Sequence, residues 1–237
     1  AATINVIDFF DEPDALSAHF SALGHQTNNL VEQDVATHIN RAYNANKQFN
    51  SALSGTTDSL PTFPATPIAK QLEAVSKTIA IREQLNEKRQ IFVVAMGGFD
   101  THSGQAQSLP KLQSALDGAF VAFDAAMQNL GLSDNVTLFT ASDFGRTLAI
   151  NGDGTDHGWG AHHFVMGGAV QGGTIFGDIP ESELNHQLDA GGGRLIPTLS
   201  VDQYAASLGQ WLGIEQDTLE TIFPNLIKFG EIPNLFK

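Results

Sequence analysis

Carboxylate, imidazole and guanidinium side chains are concentrated in three glycine-rich stretches of this chain. They are Asp100, His102, Asp143, Arg146, Asp156 and His157. Aspartate and histidine sets without cysteine suit zinc, manganese, iron or another borderline divalent ion. The chain holds no cysteine, which excludes disulfides and thiolate metal sites. The residue types therefore predict a site for a divalent metal, with zinc, manganese or calcium as the candidates.

Each stretch also has a purely structural interpretation. Asp100 and His102 could cap the turn that follows them, and the pair at 156–157 could form an ordinary turn between glycines. Asp143 could cap a helix or pair with Arg146, three residues later. The Arg146 guanidinium could bind an oxyanion or a phosphate, or it could neutralise neighbouring carboxylates. The residues alone leave these alternatives open.

The elements predicted around the three stretches would bring them together. The continuous apolar, β-branched run Ile91–Met96 predicts a strand buried on both faces. A helix follows from Ser108, its expected N-cap, to residue 130, and strands are predicted at 136–140 and 163–166, separated by a polar loop at 142–160. Strand, helix and strand in this order predict a βαβ unit in a mostly parallel sheet. Ligands of such sheets bind beyond the carboxyl ends of the strands, which is where the three stretches would meet.

The rest of the chain supplies helices. We expect a helical region at 1–88 and an α/β core at 89–237, both within one structural domain. Apolar spacing predicts helices in the first region at about 16–23, 28–53 and 68–85, with a proline-rich linker at 56–67. Capping boxes predict closing helices that begin after Ser200 and after Asp217. These helices carry no chemical constellation, and their expected role is packing.

Charge and hydropathy narrow the classes of partner. The formal net charge is −14, from 12 Lys and Arg residues against 26 Asp and Glu residues. Such a chain gains nothing by approaching nucleic acid or an anionic membrane surface. No apolar run reaches the length of about 18 residues that a membrane span needs, and no signal peptide is visible at the beginning of the sequence. The composition is compatible with divalent cations.

The three stretches occur in a fixed order as Gly-Gly-Phe-Asp100-Thr-His102-Ser-Gly-Gln, Ser142-Asp143-Phe-Gly-Arg146-Thr and Gly-Thr-Asp156-His157-Gly-Trp-Gly. In this order they resemble a large bacterial family, the domain-of-unknown-function-1501 family, which is placed in the alkaline phosphatase and sulfatase superfamily. The resemblance runs from about residue 91 to residue 180. It implies a three-layer α/β/α fold with metal ions at the strand ends.

The resemblance also implies roles for individual residues. The implied metal ligands are Asp100, His102, Asp143 and His157. Arg146 would face the oxyanion of the substrate and so act as a catalytic residue. Phe144 stands where the superfamily usually has the histidine of an Asp-His pair. The superfamily's first strand, which carries an early Asp ligand and the nucleophile, has no counterpart in this sequence.

Two functions follow from these expectations. The first is a metal-dependent hydrolase of phosphate or sulfate esters, with a small anionic ester as its substrate. The second, favoured by the two departures, is a non-catalytic family member that acts as a binding or structural module of the cell envelope. We expect the chain to be the C-terminal part of a longer protein whose missing N-terminal segment is a further partner. We also expect a periplasmic or secreted location, since relatives are commonly exported and the chain has no thiol to oxidise.

Overall fold

The structure is a computed structural model of the 237-residue chain, and it describes residues 29–53, 60–86 and 88–237 together with the single positions 18 and 22. The chain divides into two compact units. The smaller unit comprises Ala1–Asp58 and Ala80–Glu87, and the larger comprises Ser59–Ile79 and Lys88–Lys237. All the residues predicted to do chemistry belong to the larger unit.

Helices dominate the described residues. The helices are α1 (Leu30–Leu53), α2 (Pro67–Ala80), α3 (Arg82–Leu85), α4 (Gln105–Asn129), α5 (Val201–Trp211) and α6 (Gln216–Ile222). The strands are β1 (Leu138–Phe139), β2 (Gly145–Asn151), β3 (Gly154–Gly158) and β4 (Val165–Met166). Short 3-10 turns lie at Ser133–Asn135 and Leu226–Lys228. No helix of the described residues is both long enough and apolar enough to cross a bilayer.

Apolar spacing predicted most of these helices correctly. The helix expected at 28–53 is α1, and the one expected at 68–85 is α2 followed by the single turn of α3. The helix expected at about 16–23 lies outside the described residues. The expected N-cap of α4 is wrong, because the helix begins three residues before Ser108, with Gly104 at the N-cap position.

The two expected capping boxes have different outcomes. Ser200 and Gln203 form one at the start of α5, with the Gln203 N–H donating to Ser200 Oγ at 3.1 Å and the Ser200 N–H donating to Gln203 Oε1 at 3.1 Å. The second one is wrong, because α6 begins at Gln216 and Glu215 occupies the N-cap position.

The main core lies between α2 and α4. Its buried residues are Ile68, Ala69, Leu72 and Ile79 from α2, Ala119, Phe123, Ala126 and Met127 from α4, and Leu132. Their spacings of one, three, four and seven residues place them on one stripe of each helix. The larger unit is therefore built on a helix pair, and β1 and β4 add Leu138 and Met166 to the edge of its core.

The predicted three-layer α/β/α fold with a mostly parallel sheet is wrong. The described residues form two separate two-stranded sheets, and both are antiparallel. Strand β1 pairs with β4, with Leu138 opposite Met166, and β2 pairs with β3. A βαβ unit requires parallel pairing of the strands that flank α4, and no such pairing occurs in the described part of the chain.

The predicted parallel sheet fails first at the run Ile91–Met96, which was expected to be its buried strand. It contributes no strand to either sheet, and it packs on the core through one face only, by Val94 and Met96. Ile91 is 74% exposed and Val93 is 91% exposed. The Gln71 side chain forms hydrogen bonds with both backbone groups of Ala95, donating to the carbonyl oxygen at 2.9 Å and accepting from the N–H at 3.0 Å. A neighbouring strand would need these same groups. An apolar run indicates strand propensity but does not supply the neighbouring strand that a sheet needs.

The expected loop at 142–160 is the second place where the prediction is wrong. It contains the β2–β3 hairpin, which turns at residues 151–154. Gly152 and Asp153 form the two-residue turn, and Gly152, its first residue, has the positive φ of +69° that favours glycine at that position. This hairpin positions most of the candidate site.

Candidate metal centre

The register of the β2–β3 hairpin places Arg146 directly opposite His157. Side chains of directly opposed residues lie on the same face of an antiparallel pair, about 4.5–5.5 Å apart at Cβ. Thr155 comes two residues before His157 and so shares that face. The hairpin therefore presents a guanidinium, a hydroxyl and an imidazole together.

The hairpin docks by its backbone onto the loop that carries Asp100 and His102. The Thr155 N–H donates to the Thr101 carbonyl at 3.3 Å, and the Gln105 N–H at the start of α4 donates to the Asp153 carbonyl at 3.2 Å. Gly154 lies between these two bonds, and a Cβ there would collide with the carbonyl groups of residues 101 and 102. A glycine at 154 is therefore what lets the two segments approach closely enough for their histidines to meet.

Three side-chain atoms converge where the hairpin meets the loop. The Asp100 Oδ1 atom lies 2.8 Å from His157 Nε2 and 3.0 Å from His102 Nε2. The two Nε2 atoms are 3.3 Å apart. Among the described residues these three form the one group of histidine and carboxylate ligand atoms compact enough to hold a metal ion.

The dimensions of this triangle fit a divalent cation. Ligands about 2.0–2.1 Å from a tetrahedral zinc ion lie about 3.3 Å from one another. The edge of 3.3 Å equals that value, and the edges of 2.8 and 3.0 Å are hydrogen-bond distances that would have to lengthen slightly around a bound cation. Two imidazoles and one carboxylate are also a donor set that zinc and other transition metals accept while leaving a position open for water or substrate. The three side chains are about half exposed, so such a position would face solvent.

Arg146 lies beside the triangle and is held firmly. Its Nη1 donates to Asp100 Oδ1 at 2.8 Å, its Nε donates to Thr155 Oγ1 at 3.0 Å, and its Nη2 donates to the Thr155 carbonyl. The Thr155 hydroxyl in turn donates to Gln105 Oε1 at 2.8 Å. The Arg146 side chain is only 18% exposed, which shows that the guanidinium is built into the site rather than extended into solvent.

These contacts fix the charge of the carboxylate. The hydrogen bond from His157 is the main cause that lowers the pKa of Asp100 below its usual value, with further lowering by Arg146 and by the charge of His102. Partial loss of water opposes this shift in the pKa without reversing it. Asp100 is therefore ionised at neutral pH, the state in which a carboxylate binds a metal.

Each of the two histidines has one further neighbour that holds its ring in place. The Phe144 ring stacks on the His157 ring, with 3.9 Å between centroids and 6° between planes. The His102 Nδ1 atom lies 3.5 Å from Asp156 Oδ1, on the opposite side of the imidazole from the triangle. A hydrogen bond from Asn151 is the largest cause that lowers the pKa of Asp156, and the nearby charges of His102 and Arg194 lower it further.

The structure thus brings together three of the four predicted ligands. Asp100, His102 and His157 form the triangle, and Arg146 contacts it. Asp143 is exposed and lies outside that group. Its role as a ligand stays a prediction. The supporting roles of Thr155 and Gln105 were not predicted. A hairpin that turns at Gly152 would have placed Thr155 on the face of His157, whereas Gln105 lies in α4, outside that register.

Fold and site together describe a largely helical protein with a half-exposed Asp-His-His cluster where a β-hairpin meets the loop before α4. The chain belongs to the family described as "Protein of unknown function (DUF1501)", whose model matches residues 14–213. This confirms the family that the three glycine-rich stretches resemble, and the match begins far before residue 91, where the resemblance was expected to start. No curated protein and no solved structure matches the chain.

Proposed function

We propose that this protein is a metal-dependent hydrolase of phosphate or sulfate esters, in line with a place in the alkaline phosphatase and sulfatase superfamily and a periplasmic or secreted location. The observation that carries the proposal is the convergence of Asp100 Oδ1, His102 Nε2 and His157 Nε2 beside an anchored arginine. Zinc and manganese suit this donor set best, because it combines imidazole nitrogen with carboxylate oxygen.

In the proposed reaction, three side chains would bind the cation and Arg146 would bind the anionic group of the substrate. Asp100, His102 and His157 would hold the cation, which when bound supplies Lewis-acid polarisation of an ester oxygen and offsets negative charge. Arg146 has five N–H groups, of which the three contacts with Asp100 and Thr155 use three. The remaining N–H groups are available to a phosphate or sulfate oxygen.

Local charge makes an anionic substrate plausible in spite of the chain's net charge of −14. Near the triangle the carboxylates of Asp100 and Asp156 face the cations Arg146 and Arg194. With the exposed Asp153 of the same hairpin the count is three negative and two positive charges, so a bound divalent ion would change the net charge of this set from −1 to +1. Anion binding should consequently depend on the metal.

The first test is the metal content of protein purified without chelator, measured by elemental mass spectrometry for the parent and for His102→Ala and His157→Ala. His38→Ala is the matched control, because His38 is an exposed helical histidine that pairs with Asp34 far along the chain from the cluster. We expect near-stoichiometric metal in the parent and control. Loss of one of three protein ligands should lower the affinity at least as much as loss of a supporting residue, about 10- to 100-fold.

The second test is ester hydrolysis by the metal-loaded protein, screened with aryl phosphates and aryl sulfates. Arg146→Gln, assayed at a metal concentration that saturates the site because Arg146 also supports the ligand Asp100, should lower kcat/KM about 100-fold, which is the typical effect of removing one preorganised donor to a developing oxyanion. A folded parent that takes up no zinc or manganese would contradict the proposal, and so would anion binding that survives removal of the metal.

One observation favours a second candidate, the non-catalytic binding or structural module of the cell envelope. The hydroxyl nearest Arg146 belongs to Thr155, which is buried and already bonded to both Gln105 and Arg146. It is therefore not free to attack an ester. Metal binding of normal affinity without hydrolysis of any ester in the screen would support this candidate over the hydrolase.

A further inference from the structure

We infer that Asp156 is a positioning residue, which holds His102 in the orientation and tautomer that a metal ligand needs without binding the metal itself. The inference rests on the proposed metal site and assigns a function to a carboxylate that lies outside the ligand triangle. It is carried by the contacts on the two sides of one imidazole ring.

The His102 ring separates Asp156 from the triangle. Its Nε2 atom lies 3.0 Å from Asp100 Oδ1 and 3.3 Å from His157 Nε2, whereas its Nδ1 atom lies 3.5 Å from Asp156 Oδ1. An imidazole that binds a cation through Nε2 keeps its proton on Nδ1. A carboxylate on the Nδ1 side accepts that proton in a hydrogen bond, fixes the tautomer and raises the basicity of the ligating nitrogen.

Asp156 is itself held in place from two directions. Its Oδ1 accepts a hydrogen bond from Asn151 Nδ2 at 2.9 Å, across the turn of the hairpin. Its backbone N–H donates to Thr147 Oγ1 at 3.0 Å, on the neighbouring strand. The carboxylate therefore belongs to the hairpin framework, and the hairpin orients a histidine of the loop that it docks against.

The test compares Asp156→Ala with Asp156→Asn, using zinc alone as the probe. Alanine removes the acceptor, so zinc affinity measured by competition with a chromophoric chelator should fall about 10- to 100-fold. Asparagine keeps an oxygen acceptor for Nδ1–H and should restore most of that affinity. Asp153→Asn is the matched control, because it removes one negative charge from the same hairpin at an exposed position.

A second measurement separates positioning from ligation. Nitrogen-15 NMR of the histidine rings in metal-free protein reports the tautomer of His102. We expect a larger share of Nδ1–H in the parent and in Asp156→Asn than in Asp156→Ala, where Asp100, 3.0 Å from Nε2, is left as the one carboxylate beside the ring. A carboxylate that only bound the ion would leave this tautomer unchanged in both variants.

The outcomes distinguish this inference from the proposed function. A parent that binds no zinc overturns the proposed metal site, and the tautomer of His102 then still decides whether Asp156 orients it. A parent that binds zinc, with the same affinity and tautomer in Asp156→Ala, overturns the inference alone. Equal losses in Asp156→Ala and Asp156→Asn without a change of tautomer would make Asp156 a ligand, which also overturns it.

Discussion

The α2–α4 core and the metal-centre hairpin are held together by different forces. In the core, side chains such as Leu72, Ala119 and Phe123 are buried against one another, and the backbones need only supply regular helices. In the hairpin, contact runs through the backbone, where Gly154 lies against residues 101 and 102, and the three candidate ligand side chains are polar and about half exposed. The core gains stability from apolar area removed from water, whereas the site gains geometry from close backbone approach.

This difference teaches which kind of substitution each region tolerates. Stability should fall when a core side chain is made smaller, because the core is closely packed. Metal affinity should fall when a side chain is added at Gly154, because the two backbones there are in close contact. The difference also predicts that stability and metal affinity can be changed separately, since the two regions share few residues.

The largest expected effect on stability is in the core. Phe123 is 4% exposed in α4, so Phe123→Ala should lower the free energy of unfolding by about 3–5 kcal/mol, through lost burial and the cavity left behind. Chemical denaturation followed by circular dichroism measures it. Zinc affinity of the molecules that remain folded should not change.

The control for that experiment is Val121→Ala, two residues earlier on the same helix. Val121 is 63% exposed, and an exposed substitution of this kind should change stability by no more than about 0.5 kcal/mol. Similar losses in both variants would mean that α4 does not bury the stripe on which Phe123 lies. Loss of zinc binding in the folded Phe123→Ala fraction would show that the two regions are coupled.

In contrast to Phe123→Ala, Gly154→Ala should lower zinc affinity strongly and stability less. The new methyl group would meet backbone carbonyls that cannot move aside as a flexible side chain does, at a strain cost of about 1–3 kcal/mol. Relief of that strain separates the hairpin from the loop and so separates His157 from His102. We expect zinc affinity, measured by calorimetric titration, to fall more than 10-fold, as for loss of a supporting residue.

Gly97→Ala is the matched control for this variant. Gly97 precedes the same loop, has nothing within 4 Å of an added Cβ, and does not need a positive φ. Its zinc affinity should equal that of the parent. If Gly154→Ala also binds zinc normally, the close approach of the two backbones is not what assembles the ligands.

The same contrast explains how far the sequence could be read. Apolar spacing predicted α1 and α2 because burial on one helical stripe leaves its mark on the side chains themselves. The prediction failed at Ile91–Met96, since the residues of an extended segment do not indicate which other segment, if any, pairs with it. Asp100, His102 and His157 could be grouped as candidates by residue type and order. The position of Asp156 beside His102 could not be predicted, because it depends on the register of the β2–β3 hairpin, and neither could the position of Asp143 outside that group.

The smallest expected effect on stability is at Tyr204, a residue of α5 that contacts the residue following β1. Its hydroxyl donates to the Thr140 carbonyl at 3.2 Å, and burial raises its pKa to about 12. Because the pKa in the folded state lies above the ordinary value of 10.0, the stability that Tyr204 contributes is complete below pH 10.0 and is lost as the pH rises towards about 12. Tyr204→Phe should cost about 0.5–1.5 kcal/mol at neutral pH through the lost hydrogen bond.

The titration of Tyr204 can be observed alone, because the chain has two tyrosines and the other is Tyr43. In Tyr43→Phe, the ultraviolet absorbance of tyrosinate should therefore rise in a single transition near pH 12, together with loss of structure. In the double variant that also carries Tyr204→Phe, unfolding in this pH range should become less steep, since one proton fewer is released. A transition near pH 10.0 in Tyr43→Phe would instead mean that water reaches the Tyr204 hydroxyl, and that α5 is held to the strand end less tightly than the main core is held together.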